Sequence, residues 1–279
     1  MRLRLYHHRD GARIAYRETG TGPPLALFHS LGLSYREWEP IVEALEARFR
    51  VVLPDLPLHG DSEDRPRHPY TLEWMTDVIA GFCTAELGPR PILAGHDLGA
   101  ELILCAATRT PVQPARLVLM PNRLHRREEF PARRAAWRTA CEAAALPGVD
   151  RLMARGAKLV FRPAFGERLS AQRNPAARDL IRHAFADVGG NVNRARSWAR
   201  FARRWPAGPQ RDLLDAYPRL QAPVLLLWAD RDPAHPVDGA QEALDLLPQA
   251  ELRTLPGTGF LMAYDDPVSL ARELIAFCG

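Results

Sequence analysis

The apolar positions change their period along the chain, and that change predicts the elements. Over residues 2–7 and 12–18 apolar and polar side chains alternate, which predicts two strands joined at the Asp10-Gly11 turn. Short unbroken apolar runs follow at residues 25–28, 51–53, 92–94 and 117–120, and again at 224–228 and 252–255. Runs this short, bounded by polar residues and breakers, fit strands covered on both faces. Between them the period lengthens. Trp38, Ile41, Val42, Leu45 and Phe49 have helical spacing, and residues 71–87, 98–108, 239–247 and 268–277 read as further helices. Strands alternating with helices of this length predict an α/β chain with a mostly parallel central sheet flanked by helices.

Residues 122–211 break the alternation. They are helix-rich and strand-poor, with breakers at Pro131, Pro147-Gly148, Pro163, Pro175, Gly189-Gly190 and Pro206. The expected organisation is therefore a core made of 1–121 and 212–279, interrupted by a helical cap over 122–211.

Charge sharpens this division. The chain has 279 residues and a net charge of +4, and 36 of its 37 basic residues are Arg, Lys158 being the exception. The proposed cap alone carries 20 basic and 7 acidic residues, so the core is net acidic. A basic lid over an acidic core argues against nucleic acid, for which no recognised motif is present. It suits an anionic substrate or an acidic partner such as an acyl carrier protein. With 47% hydrophobic and 25% charged residues the composition excludes disorder and coiled coil. Cys83, Cys105, Cys141 and Cys278 are scattered, which predicts buried thiols rather than a disulfide frame or a zinc site. Neither a leader-like apolar run nor a membrane-length one occurs, so a cytoplasmic location is expected, with no membrane, metal or cofactor.

The candidate chemistry lies at residues 92–100. A strand runs into Gly95-His96-Asp97-Leu98-Gly99 and then into a helix. Such a turn lifts the middle side chain above the sheet edge and aims a helix N-terminus at it, while the flanking glycines make room. Asp97 occupies the raised position.

With this elbow in view, nearly the whole chain resembles the α/β-hydrolase superfamily. Phe28-His29-Ser30-Leu31-Gly32 is similar to the family's oxyanion loop, Asp55 to Ser62 to its D-x-x-G-H-G-x-S, and Ala229 to Pro233 to the segment carrying the triad acid. The resemblance implies an α/β-hydrolase fold with a helical cap. It also implies Asp97 as nucleophile, Asp232 as triad acid with Asp230 its nearest competitor, and an oxyanion hole from Ser30, Leu31 and Leu98. An Asp at the elbow resembles haloalkane dehalogenases, fluoroacetate dehalogenases and epoxide hydrolases, whose carboxylate attacks an sp³ carbon and forms an ester.

The pattern breaks where the family has its catalytic His. In Pro256-Gly257-Thr258-Gly259-Phe260 that place is held by Phe260, and the spacing to Pro267 leaves no gap to realign. Other markers are also absent: Leu98 replaces the halide-binding Trp, Leu31 the Asn of the oxyanion loop, and residues 122–211 contain no Tyr. His235 and His125 are the candidate substitutes at the pocket mouth, whereas the resemblance makes His29 and His59 structural. Lacking an imidazolium partner, Asp97 is expected to shift toward its neutral form. Three readings stay open: an atypical enzyme using Asp97 as acid or base in elimination, cyclisation, isomerisation or group transfer; an epoxide hydrolase- or dehalogenase-like hydrolase working through an Asp97 ester, including an inactivated His-to-Phe form; and a catalytically dead binder. The first two act on a small molecule, and the binder holds a ligand or a protein partner.

Overall fold

The computed structural model describes residues 1–126, 168–185, 192–205, 210–232 and 234–279, with isolated positions between 135 and 149. Eight strands make one sheet: β1 (Arg2–His7), β2 (Arg13–Thr19), β3 (Pro24–Phe28), β4 (Arg50–Pro54), β5 (Ile92–Gly95), β6 (Arg116–Leu119), β7 (Val224–Ala229) and β8 (Ala250–Leu255). Their order is β1-β2-β4-β3-β5-β6-β7-β8. β1 pairs antiparallel with β2, and β2 with β4; every other pairing is parallel.

The unbroken apolar runs are explained by their two-sided burial. All six residues of β7 are buried. Val224, Leu226 and Trp228 enter the core on one face of the sheet, and Leu225, Leu227 and Ala229 enter the core on the other. A strand covered on both faces has no solvent side on which polar residues would be stable, so alternation disappears. The outermost strand β1 behaves oppositely, with Leu3 and Leu5 exposed beside Arg2 and Arg4.

Two helical expectations change in detail. Residues 38–49 form not one helix but a 3₁₀ turn, Tyr35–Ile41, followed by the short α1 (Val42–Glu46). Pro40 sits inside the first piece and has no amide to donate, which interrupts a continuous α-helical ladder. The helix expected over 71–87 is capped by the Thr71 side chain, runs regularly as α2 (Leu72–Phe82), and continues in a wider turn to Leu87 before Gly88 ends it at positive φ.

The elements that frame the site are α3 (Leu98–Arg109), which follows β5, and the segment after β7 that leads into a helix at Val237–Leu246. Of the expected cap, the described residues include α4 (Ala176–Phe185) and α5 (Val192–Arg204). The latter docks on the loop after β4: Arg194 pairs with Asp64 at 2.9 Å, and Arg200 donates to the carbonyls of Arg67 and His68. Trp137, Cys141 and Lys158, with most of residues 127–167, lie outside the described residues. Cys83, Cys105 and Cys278 are buried free thiols.

Trp228 connects the core to the site. It is fully buried, and its indole Nε1 donates to the carbonyl of His235 at 2.9 Å. Trp228→Phe keeps most of the burial but strands that carbonyl. The expected loss is about 1–3 kcal/mol, read as a lower urea midpoint at unchanged slope. An unchanged midpoint would show that the bond contributes nothing.

Candidate active site

The elbow is built by close backbone approach. Asp97 has φ 46° and ψ −111°, a strained conformation for a residue with a side chain. A Cβ at Gly99 would lie 2.3 Å from the Phe28 carbonyl oxygen, and one at Gly95 would lie 2.6 Å from the Ala100 nitrogen. Any other residue at either position would push β3, β5 and α3 apart. The strain is held in place by backbone bonds on both sides: His96 N donates to Phe28 O at 3.0 Å, and Asp97 N to Pro121 O at 2.9 Å.

Around the raised carboxylate the structure brings together four of the residues singled out from the sequence. Leu31 N donates to Asp97 Oδ2 at 3.1 Å. His235 Nε2 lies 3.6 Å from Asp97 Oδ1, and its Nδ1 lies 2.8 Å from Asp232 Oδ2. Asp232 Oδ1 in turn accepts from the Ala234 amide at 2.8 Å, which fixes the carboxylate behind the ring. Asp230, its competitor, is exposed. Phe260 stacks on the His235 ring, centroids 6.0 Å apart and 26° between planes. An imidazole thus stands between two carboxylates although the position after β8 carries Phe.

The electrostatics follow from that order. For His235, burial disfavours the charged ring, but the hydrogen bond to Asp232 and the facing Asp97 more than reverse this and push it up to about 9. For Asp97, burial favours the neutral carboxyl, yet His235, the nearby His96 and the Leu31 amide outweigh it and hold the group well below the usual carboxylate range. The expectation of a neutral Asp97 is therefore corrected. It assumed that no imidazolium faced the carboxylate, and His235 supplies one.

Two other expectations are also corrected or narrowed. The Ser30 amide does not point at Asp97; it donates to Glu37 Oε2 at 2.7 Å, so the loop offers Leu31 rather than both amides. Leu98 is the first residue of α3 and brings the helix N-terminus to the elbow. His125 does not reach the site: its Nε2 pairs with Glu242 at 3.1 Å, and its Nδ1 meets the Tyr217 hydroxyl at 3.4 Å. Both His125 and His235 lie in loops and are buried.

His29 and His59 hold the surrounding loops. His29 Nε2 accepts from Leu56 N, and His59 Nε2 accepts from Gly32 N. Each Nδ1 faces a carbonyl, that of Ser30 or Pro57. A ring nitrogen that accepts from an amide carries no proton, so both rings are neutral donors at Nδ1. Their burial agrees, drawing His29 down and His59 to about 4. Asp55 accepts from the amides of Tyr35 and Asp61, and Ser62 Oγ bridges Ala15 N and Asp55 O. The motif after β4 is thus a loop clamp.

A model of the alpha/beta hydrolase family matches residues 25–273. The chain belongs to that family. The chain is 29% identical over 248 residues to a magnesium-chelatase 30 kDa subunit of Rhodobacter capsulatus, covering 85% of this chain and 80% of the relative. It is 28% identical to a pimeloyl-[acyl-carrier protein] methyl ester esterase of Nitrosomonas europaea, covering 89% and 92%. An alpha/beta hydrolase fold protein from Burkholderia ambifaria superposes with a TM-score of 0.80 at 23% identity, over 98% and 97% of the two chains, a likeness of fold. Among the described residues no helix is long and apolar enough to cross a membrane, and no cluster of side chains could hold a metal ion.

Sequence reasoning missed one residue of this alpha/beta hydrolase site. Glu37 lies two residues into the 3₁₀ turn, is 2% exposed, and accepts from Ser30 N, Ser30 Oγ and the His96 ring. One acidic residue in a mixed helical stretch carries no sign that it will be buried.

The alternation of charges can be titrated. The His235 ring is expected to lose its proton near pH 9, followed by NMR of the imidazole. Asp97→Asn removes one of the two carboxylates and should bring that midpoint down. Because the folded-state value is raised, the associated stability is fully present below about 6.5 and is lost as pH rises through about 9. A midpoint indifferent to Asp97→Asn would mean that the two groups do not face each other in solution.

Proposed function

We propose that this chain is a hydrolase in which Asp97 attacks an electrophilic sp³ carbon, such as that of an alkyl halide or epoxide, and His235 directs hydrolysis of the resulting ester. The observation that carries the reading is the placement of His235, with Nδ1 on Asp232 and Nε2 facing Asp97. A carboxylate is a poor choice for attacking ordinary esters. The tetrahedral intermediate so formed would expel the carboxylate more readily than the alkoxide and revert to the starting ester. At a saturated carbon, attack instead gives a stable alkyl ester.

In the first step Asp97 Oδ1 forms a bond to carbon as the bond from carbon to the halide or epoxide oxygen breaks. Asp97 is already ionised, so no base is needed. An epoxide oxygen also requires a proton, which the charged His235 ring can give. Esterification removes the negative charge of Asp97 and with it part of what keeps His235 protonated. With a halide the ring then releases its proton to solvent; with an epoxide it has already given it up. The neutral Nε2 takes a proton from water as that water attacks Asp97 Cγ. Negative charge develops on Oδ2, where the Leu31 amide and the N-terminus of α3 stabilise it. Collapse restores the Asp97 carboxylate and releases the alcohol.

The two carboxylates and one imidazole also support acid–base chemistry without a covalent intermediate. One observation favours that second reading: Leu98 and the Tyr-free segment 122–211 lack the leaving-group contacts of the resembled dehalogenases and epoxide hydrolases. As for partners, the Arg-rich segment and the carrier-protein substrate named for the Nitrosomonas europaea relative support an anionic or carrier-borne substrate. Arg196 and Arg204 are exposed on α5, where they would meet such a partner.

Intact-mass spectrometry of the protein incubated with alkyl halides and epoxides tests the reading. The wild type should turn over at least one of them. His235→Ala should accumulate a stable adduct on Asp97, with steady turnover reduced about 10²–10⁴-fold, and Asp97→Asn should form none. Turnover that survives Asp97→Asn would remove the residue from the mechanism. Turnover lost in His235→Ala with no adduct would favour the non-covalent reading.

A further inference from the structure

We propose that Glu37 is a positioning residue that joins the loop after β3 to the nucleophile elbow and so places the Leu31 amide on Asp97. The catalytic part of this inference rests on the Asp97 reading above. One carboxylate spans the two loops. Its Oε2 accepts from Ser30 N at 2.7 Å and from Ser30 Oγ at 2.9 Å, and its Oε1 accepts from His96 Nδ1 at 2.5 Å. The next residue of each loop makes the neighbouring cross-link, Leu31 N to Asp97 Oδ2 at 3.1 Å. Two parallel struts, 30–37–96 and 31–97, therefore tie the loops in register.

The struts differ in permanence. Glu37 and His96 are each 2% exposed, and their contact is shielded from water. The 31–97 bond lies at the accessible end, where the Leu31 side chain is 44% exposed and Asp97 is half-buried. Among the described residues, Nε2 of His96 has no hydrogen-bond partner, so Nδ1 is the ring's polar anchor, and the Phe260 ring packs beside it, centroids 4.5 Å apart and tilted by 49°. The buried strut has its own consequence for the site. It turns the Ser30 amide inward and leaves the Leu31 amide as the one the loop presents to Asp97.

This geometry predicts which chemical step should feel the loss of Glu37. During attack on carbon, negative charge leaves Asp97, so a donor on Oδ2 gives little differential stabilisation. During ester hydrolysis, negative charge develops on Oδ2, and the placement of the Leu31 amide becomes decisive. Glu37→Gln keeps the shape but has a single oxygen acceptor for the Ser30 and His96 donors. Single-turnover measurement with an alkyl halide or epoxide that the wild type turns over should show ester formation within about 3-fold of wild type. Ester hydrolysis should be slower by roughly 10–100-fold, as expected when one oxyanion donor is misplaced. Ser30→Ala removes one of the three bonds and should show the same split in smaller degree, which covers the case in which Glu37→Gln fails to fold.

A second readout needs no substrate. Amide hydrogen exchange at Leu31 should quicken by about 10-fold or more in Glu37→Gln, while exchange in β5 and β6 stays as in wild type. Equal slowing of both chemical steps, or unchanged exchange at Leu31, would overturn the positioning role. A wild type that forms no ester with any probe would instead sink the catalytic reading, and the exchange measurement would still decide whether Glu37 sets the loop.

Discussion

A single constraint organises this molecule: a carboxylate held above the edge of a parallel sheet by a backbone conformation that its own side chain disfavours. Asp97 at φ 46° is tolerable only because β3, β5 and α3 approach closely enough to fix the turn. That approach requires Gly95 and Gly99. The raised carboxylate then needs partners of opposite character, because burial alone would neutralise it. His235 and the Leu31 amide meet that need from opposite sides.

The same constraint explains why polar groups are so numerous beneath the site. The loops after β3 and β4 expose backbone amides that sheet hydrogen bonding does not satisfy. Neutral His29 and His59 accept two of them, Asp55 two more, and Glu37 another. In the linear sequence nothing marks Glu37 as buried, while the resemblance already makes His29 and His59 structural. In the fold all of them act as acceptors for loop amides, and the proposed chemistry falls to Asp97, His235 and Asp232.

Most of the scaffold could be read from the pattern of residues. Strands buried on both faces leave a strong signature, as in β7, because no position tolerates polarity. The elbow was legible because its shape demands glycines at fixed offsets. The split of residues 35–46 into a 3₁₀ turn and a short helix was less visible, since apolar spacing alone does not register the amide that Pro40 lacks. The charge of the expected cap was plain in composition, and of residues 122–211 the structure describes α4, α5 and the way α5 docks on the loop after β4.

By itself, the sequence determined the sheet and the elbow, and it singled out Asp97, Asp232 and Phe260 as candidate positions. All of these are local patterns of period, spacing and motif. Only the tertiary structure decided that the imidazole facing Asp97 is His235. Ring placement depends on where the segment after β7 runs, and Trp228 pins that segment through the His235 carbonyl. Tertiary structure also decided that the amide offered to Asp97 is that of Leu31, because Glu37 draws the Ser30 amide away. Which of two adjacent amides faces a site is a matter of a single buried carboxylate's position, and no linear pattern encodes it.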